Sequence, residues 1–221
     1  MDKPKIILFD IDHTIFDTDV FRKIIYKKLS KKLNLKYDDF FLELIKKSEK
    51  ITINKKKYFD PDFFLKTLTY ITNSKLKPDD LGSEFWDESN FEQAIYPEVT
   101  STFNQIKKNK NISIGIFSRG ETKFQKRKIE ILKESLDKKH VYIFANKLEE
   151  INMIINKYKD YQILIVDNLL EVLEFSKKVS KRITTVYIKR LSSLDKVNQN
   201  IFKPDYEINN LEEVISIVKN N

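Results

Sequence analysis

Short, nearly uninterrupted apolar runs recur along this chain at residues 6–9, 112–117, 141–144 and 163–166. Such runs predict strands buried on both faces of a sheet. A fifth run, residues 184–188, is β-branched and aromatic and predicts one more strand. Between the runs the apolar period changes to that of a helix. Phe124, Ile129, Ile131, Leu132 and Leu136 mark one helix over residues 123–136. Ile151, Ile154 and Ile155 mark another over 148–158, and Leu170, Leu173 and Val179 a third over 169–179. Strands alternating with helices predict right-handed crossovers and a doubly wound, mostly parallel α/β sheet covered on both faces.

One stretch breaks the alternation. Residues 19–90 contain no convincing strand. Val20, Phe21, Ile24, Ile25 and Leu29 have helical spacing, as do Phe40, Phe41, Leu44 and Ile45. Asp60-Pro61 reads as an N-cap followed by proline in the first turn, and Phe63, Phe64, Leu68 and Ile71 give that helix its apolar face. The expected organisation is an α/β core from residues 1–18 and 91–221, with residues 19–90 as a helical insert.

Composition narrows the chemistry. The chain of 221 residues is 41% hydrophobic, enough to bury a sizeable core. Its formal charge of +8 comes from lysines spread along the whole length, which reads as solvated helix faces and not as a nucleic-acid stripe. With no cysteine, disulfides, thiolate metal sites and a cysteine nucleophile are excluded. The two histidines, His13 and His140, are too few for a histidine-rich metal site. A metal would therefore rest on carboxylates and carbonyls, which favours a hard cation such as Mg²⁺. No apolar run reaches the roughly 20 residues that span a bilayer. Asp10 and Asp12 end the first apolar run too early for a signal peptide, so a cytoplasmic location is the default expectation.

Ligands of open α/β sheets collect beyond the carboxyl ends of the strands. Asp10 ends the first predicted strand, Ser118 the second and Asp167 the fourth, while Lys147 lies just past the third. The predicted topology thus brings four polar groups to one sheet edge. Asp10 and Asp12 could share a cation with Asp167, and Lys147 and Ser118 could hold phosphate oxygens.

These residues carry a resemblance. Asp10-Ile11-Asp12-His13-Thr14 resembles the Asp-x-Asp-x-Thr motif of the haloacid dehalogenase-like hydrolase superfamily. Ser118 resembles the second motif of that superfamily, Lys147 the third, and Asp167 with Glu171 the fourth. Tyr96-Pro97-Glu98-Val99 resembles the opening of the helix before the second motif, and residues 204–208 and 211–214 the final strand and helix. The position of the insert, between the first and second motifs, is that of the helical cap in the C1 class. His13 stands where glycine is common, Arg119 where asparagine is, and Glu171 where aspartate is usual.

The resemblance implies a Mg²⁺-dependent phosphatase acting on a small phosphorylated metabolite. It makes Asp10 the nucleophile that forms an aspartyl-phosphate and Asp12 the general acid and base. The Asp10 and Asp167 carboxylates and the Asp12 backbone carbonyl would bind Mg²⁺, with Glu171 near its waters. Ser118 would hydrogen-bond the phosphoryl group and Lys147 would neutralise charge. Rival expectations are a phosphomutase, a dehalogenase, or a non-catalytic basic module binding nucleic acid. Asp12 argues against the dehalogenase, because a departing halide needs no proton. Dispersed lysines argue against the binding module. Tyr58, Phe85 and Trp86 are expected either to stack on a substrate base or to fill the core of the cap.

Overall fold

The computed structural model describes residues 3–190 and 202–220. Among them six strands form one sheet: β1 (Lys5–Phe9), β2 (Ile112–Arg119), β3 (Val141–Phe144), β4 (Gln162–Asp167), β5 (Ile183–Ile188) and β6 (Tyr206–Ile208). Every pairing is parallel and the order is β3-β2-β1-β4-β5-β6. The chain lays down β1, β2 and β3 in one direction, then crosses back to place β4 on the other side of β1. That reversal opens a crevice at the carboxyl ends of β1 and β4.

The continuous apolar run of β1 is explained by its central place. Ile6, Ile7, Leu8 and Phe9 are all fully buried, and alternate side chains enter opposite cores. Ile7 and Phe9 join the side that holds α6 (Val99–Lys107) and α10 (Glu213–Asn220). Ile6 and Leu8 join the side packed by α8 (Ile151–Lys157) and α9 (Leu170–Val179).

Between β1 and α6 the chain is helical, from Thr18 to Glu92, around the stretch 19–90 in which the sequence offered no strand. The helices are α1 (Thr18–Lys32), α2 (Asp39–Lys56), α3 (Pro61–Ile71), α4 (Pro78–Phe85) and α5 (Glu88–Glu92). Asp17, Asp38 and Asp60 cap the first three, each accepting from backbone N–H groups of the first turn. The predicted Asp60-Pro61 start is the observed one. Of the predicted apolar faces, Phe21, Ile25, Leu29, Phe41, Ile45, Phe64 and Leu68 are buried, in the same cluster as the sheet face of Phe9. Phe40 and Val20 face water instead, because each lies one position round from its helix's buried stripe.

Two helices differ from the expected ones. The helix expected over 123–136 stops early: α7 (Thr122–Lys128) gives way to a 3₁₀ turn, Glu130–Leu132. A three-residue period aligns Ile129 with Leu132, so both stay buried while Ile131 turns outward. The helix expected from residue 148 begins at Ile151, and Lys147 sits in the preceding turn.

Gly115 lies where β2 meets the chain entering β3. A Cβ there would stand 2.5 Å from the His140 carbonyl oxygen and 2.9 Å from Leu8 Cδ2. Gly115→Ala is expected to destabilise the fold by roughly 1–3 kcal/mol through overpacking. A urea denaturation midpoint equal to that of the parent protein would show that the interface has room to spare.

Candidate active site

The crevice is built first by the sheet. Phe9 pairs with Val166, and the Asp10 N–H continues the ladder by donating to the Val166 carbonyl at 2.9 Å. Asp10 therefore leaves the sheet level with Asp167, the last residue of β4. Lys147 Nζ lies between them, 2.6 Å from Asp10 Oδ1 and 2.6 Å from Asp167 Oδ2. All three side chains are nearly or wholly buried. Burial alone would lower the Lys147 ammonium, but the two carboxylates override it and push its pKa up. Burial, aided by Asp10, raises the Asp167 carboxyl against the pull of Lys147.

After Asp10 the chain makes a tight loop. His13 N–H donates to the Phe16 carbonyl and Phe16 N–H to that of Ile11, at 2.8 and 3.0 Å. His13 takes φ 53°, in the left-handed region. Glycine enters that region freely, which explains why it is common there; histidine pays a steric cost of about 1–2 kcal/mol. Arg190 braces the loop from behind, with Nη2 donating to the Thr14 carbonyl at 3.2 Å and to Glu98 Oε1 at 2.6 Å.

This loop carries Asp12, which meets three donors. Thr18 Oγ1 and Lys128 Nζ each lie 2.6 Å from Oδ1, and Gln125 Nε2 lies 2.8 Å from Oδ2. Burial raises the Asp12 carboxyl, yet the Lys128 charge and the hydrogen bonds together bring it down to about 2. Lys128 itself is lowered by burial, with Asp12 working in the opposite direction. The sequence pointed to none of these three partners. The available signal was a lysine one turn after Phe124 on the apolar stripe of α7, a position that is buried only when paired.

Asp10, Asp12 and Lys147 line a pocket of about 440 Å³ between the strand ends and the insert. Asp167 stands behind Lys147, and Glu171 and Asn168 form part of the rim. Ser118 is brought to the same place but is 1% exposed, with the Gln125 amide 3.4 Å from its hydroxyl. Gln125 thus covers Ser118 and presents the nearer donor. Gly120 makes this possible: it takes φ 146°, and a Cβ there would fall 2.9 Å from Gln125 Nε2. Arg119 reaches the insert, with Nη2 3.5 Å from the Lys57 carbonyl. Of the three expected aromatics, Phe85 and Trp86 pack among Phe91 and Phe124, whereas Tyr58 faces the pocket.

A model of the haloacid dehalogenase-like hydrolases matches residues 4–168. The chain belongs to this family of hydrolases. Solved structures share its fold from end to end at low identity. A protein from Burkholderia xenovorans, presented as a haloacid dehalogenase-like hydrolase, is 17% identical with a TM-score of 0.75, covering 97% of this chain and 98% of its own. The HAD-hydrolase YfnB from Bacillus subtilis, described as bound to magnesium and showing interdomain movement, is 15% identical with a TM-score of 0.66. That match covers 98% of this chain and 99% of YfnB. A defluorinating L-2-haloacid dehalogenase is 11% identical with a TM-score of 0.70, over 98% of this chain and 95% of its own. No curated protein matches the sequence.

The donor set of this family member suits a hard cation. Asp10 Oδ2 accepts no hydrogen bond from the described residues, and Asp10 opens onto the pocket. Among the described residues no three acidic or histidine side chains form a ready-made metal cage. The Asp10 carboxylate, the Asp12 backbone carbonyl and water remain open, and Mg²⁺ characteristically keeps several waters; Asp167, whose two oxygens accept from Lys147 and from the Leu169 N–H, joins such a set only by giving up Lys147. No helix among the described residues is long and apolar enough to cross a membrane.

Lys128→Met leaves Asp12 without its cation. Because the Asp12 side chain is 32% exposed to the pocket, the loss of stability is expected to be only about 1–3 kcal/mol, below that of a fully buried pair. The carboxyl is depressed on folding, so this stabilisation is complete above the unfolded value of about 3.9 and is lost as pH falls towards about 2. Urea titrations should show the gap between parent and variant narrowing progressively from about pH 5 and still narrowing at about pH 2. A constant gap over that window would assign the effect to packing.

Proposed function

We propose that this hydrolase cleaves small phosphomonoesters, with Asp10 as nucleophile and Asp12 as acid and base. The observation that carries the reading is the Asp12 carboxylate, oriented by Thr18, Gln125 and Lys128 in the pocket that Asp10 lines. Displacement of a halide has no use for such a group, whereas departure of an alkoxide does.

In the first step an Asp10 carboxylate oxygen attacks phosphorus and the bond to the alcohol oxygen breaks, while Asp12 gives that oxygen its proton. The negative charge of an arriving phosphate favours the protonated Asp12 needed here. In the second step water attacks the aspartyl-phosphate, Asp12 takes the proton, and Asp10 is freed with release of inorganic phosphate. The ionised Asp12 of the ligand-free protein is already the form this step requires. Lys147 offsets the charge shared by Asp10 and the phosphate, and the Gln125 amide and Ser118 hydroxyl supply neutral donors. Asp10, Asp167 and the Asp12 carbonyl would hold Mg²⁺, which when bound would supply Lewis-acid charge and lessen the repulsion between phosphate and carboxylates. Residues 19–90 act as a cap that closes the pocket and excludes water.

Hydrolysis of p-nitrophenyl phosphate with Mg²⁺ and its loss in EDTA is the expected result; full activity in EDTA would sink the metal assignment. Asp10→Asn should abolish turnover and covalent labelling by substrate phosphate. Asp12→Asn should lose about 10²–10⁴-fold in rate. Its first step should suffer more with an alkyl phosphate than with p-nitrophenyl phosphate, whose phenolate leaves without help. Equal slowing of phosphorylation for both would remove Asp12 from the acid role. A protein from Thermotoga maritima with a TM-score of 0.64 and 13% identity is presented as a β-phosphoglucomutase. Stoichiometric release of inorganic phosphate from an alkyl phosphate separates hydrolysis from transfer to a second hydroxyl.

A further inference from the structure

The wall of the pocket opposite the strand ends comes from one face of α1 and the second half of α2. Thr18, Phe21, Arg22, Ile25 and Tyr26 follow one another along α1 at helical spacing, and Glu49 and Ile53 face them from α2. Thr18 fixes Asp12, so Arg22, one turn further on, stands about 6 Å along the helix from that contact. A guanidinium therefore overlooks the space where the alcohol part of a phosphomonoester would lie.

Arg22 has an ion-pair partner in Glu49, and the pair is a loose one. The nearest approach to Glu49 is 3.6 Å, from Arg22 Nε to Oε1, which is beyond hydrogen-bond distance. The same Glu49 oxygen instead accepts a short hydrogen bond from the Tyr26 hydroxyl. The Arg22 side chain is 36% exposed and that of Glu49 19%. Arg22, Lys57 and Arg119 line the pocket together with Glu49, Glu121 and Glu171. Glu121 is occupied, since both its oxygens cap α7 through the N–H groups of Lys123 and Phe124.

Tyr58 faces the pocket, but three of the other rings offer no stacking platform. Phe21, Phe85 and Phe124 are 3%, 1% and 7% exposed and lie against one another at 5.5–5.7 Å. They line the same pocket as Arg22, where a charge-assisted hydrogen bond is stronger than a neutral one.

We propose, on the phosphatase reading above, that Arg22 binds a second anionic group on the substrate. The preferred substrates are then phosphomonoesters whose alcohol carries a carboxylate or a second phosphate a few bonds from the ester oxygen. Glu49, held by Tyr26, keeps the guanidinium turned into the pocket.

The test compares matched substrates with the whole protein and Mg²⁺. 2-Phosphoglycolate is set against 2-hydroxyethyl phosphate, and propane-1,3-diol bisphosphate against 3-hydroxypropyl phosphate. One charge-assisted contact should favour the member of a pair that carries the second anionic group by about 10- to 100-fold in kcat/KM. The pair with the larger ratio tells carboxylate from phosphate. Arg22→Gln should close the gap and Arg22→Lys should keep part of it, in proteins whose melting temperatures show them folded. Ratios within about threefold of unity in both pairs, or a gap that survives Arg22→Gln, would overturn the assignment. Failure to hydrolyse p-nitrophenyl phosphate would instead strike the phosphatase reading. Calorimetry then still decides on Arg22. Phosphonoacetate should bind the parent protein more tightly than ethylphosphonate and lose that advantage in Arg22→Gln; equal affinity for the two overturns the proposal.

Discussion

The contact of Lys147 with Asp10 and Asp167 is the constraint around which the rest of the molecule is arranged. Two carboxylates from adjacent strands emerge side by side with one ammonium between them. Withdrawing three charges from water is costly, and it is sustainable here only because each is met at hydrogen-bond distance. One cation facing two anions still leaves negative charge at the strand ends. The parallel sheet makes the arrangement possible: β1 lies between β2 and β4, and Asp10 keeps the β-ladder going for one residue beyond the strand.

A second ion pair answers the first. Asp12 and Lys128 join the loop after β1 to α7, and Gln125 and Thr18 complete the ring of donors. Thr18 begins the insert and Lys128 belongs to the α/β core, so the same carboxylate connects both halves of the pocket. The apolar contacts behave likewise. Phe21 and Phe85 from the insert pack on Phe124 from α7, in a cluster continuous with Phe9 of the central strand. The insert is thus a wall of the pocket, built into the core it covers.

Much of this was legible in the sequence because its physical cause is local. Strands buried on both faces require unbroken apolar runs, so β1, β2, β3 and β4 appeared as such runs, and alternation with helical periods implied the parallel sheet. Asp10, Asp167 and Lys147 were identifiable because a residue just past a strand has nowhere to go but the sheet edge. Asp60-Pro61 marked a helix start through capping chemistry that involves only its own first turn. The early end of α7 was hidden, since the choice between an α and a 3₁₀ turn at Ile129 depends on what that turn packs against.

The sequence by itself determined the strand cores, the helical insert and the acids at the strand ends, all of them consequences of periodicity over a few residues. Tertiary structure alone decided who meets whom. Lys128 lies 116 positions from Asp12, and its place on the apolar stripe of α7 marks it for burial without saying which acid it meets. Gln125 covering Ser118, Arg22 standing over the pocket and Arg190 bracing the Thr14 loop are equally long-range or orientational facts. The physical reason is common to all of them. A charged side chain gains a partner and loses its water only when two distant segments pack, and that energy is written in no local pattern.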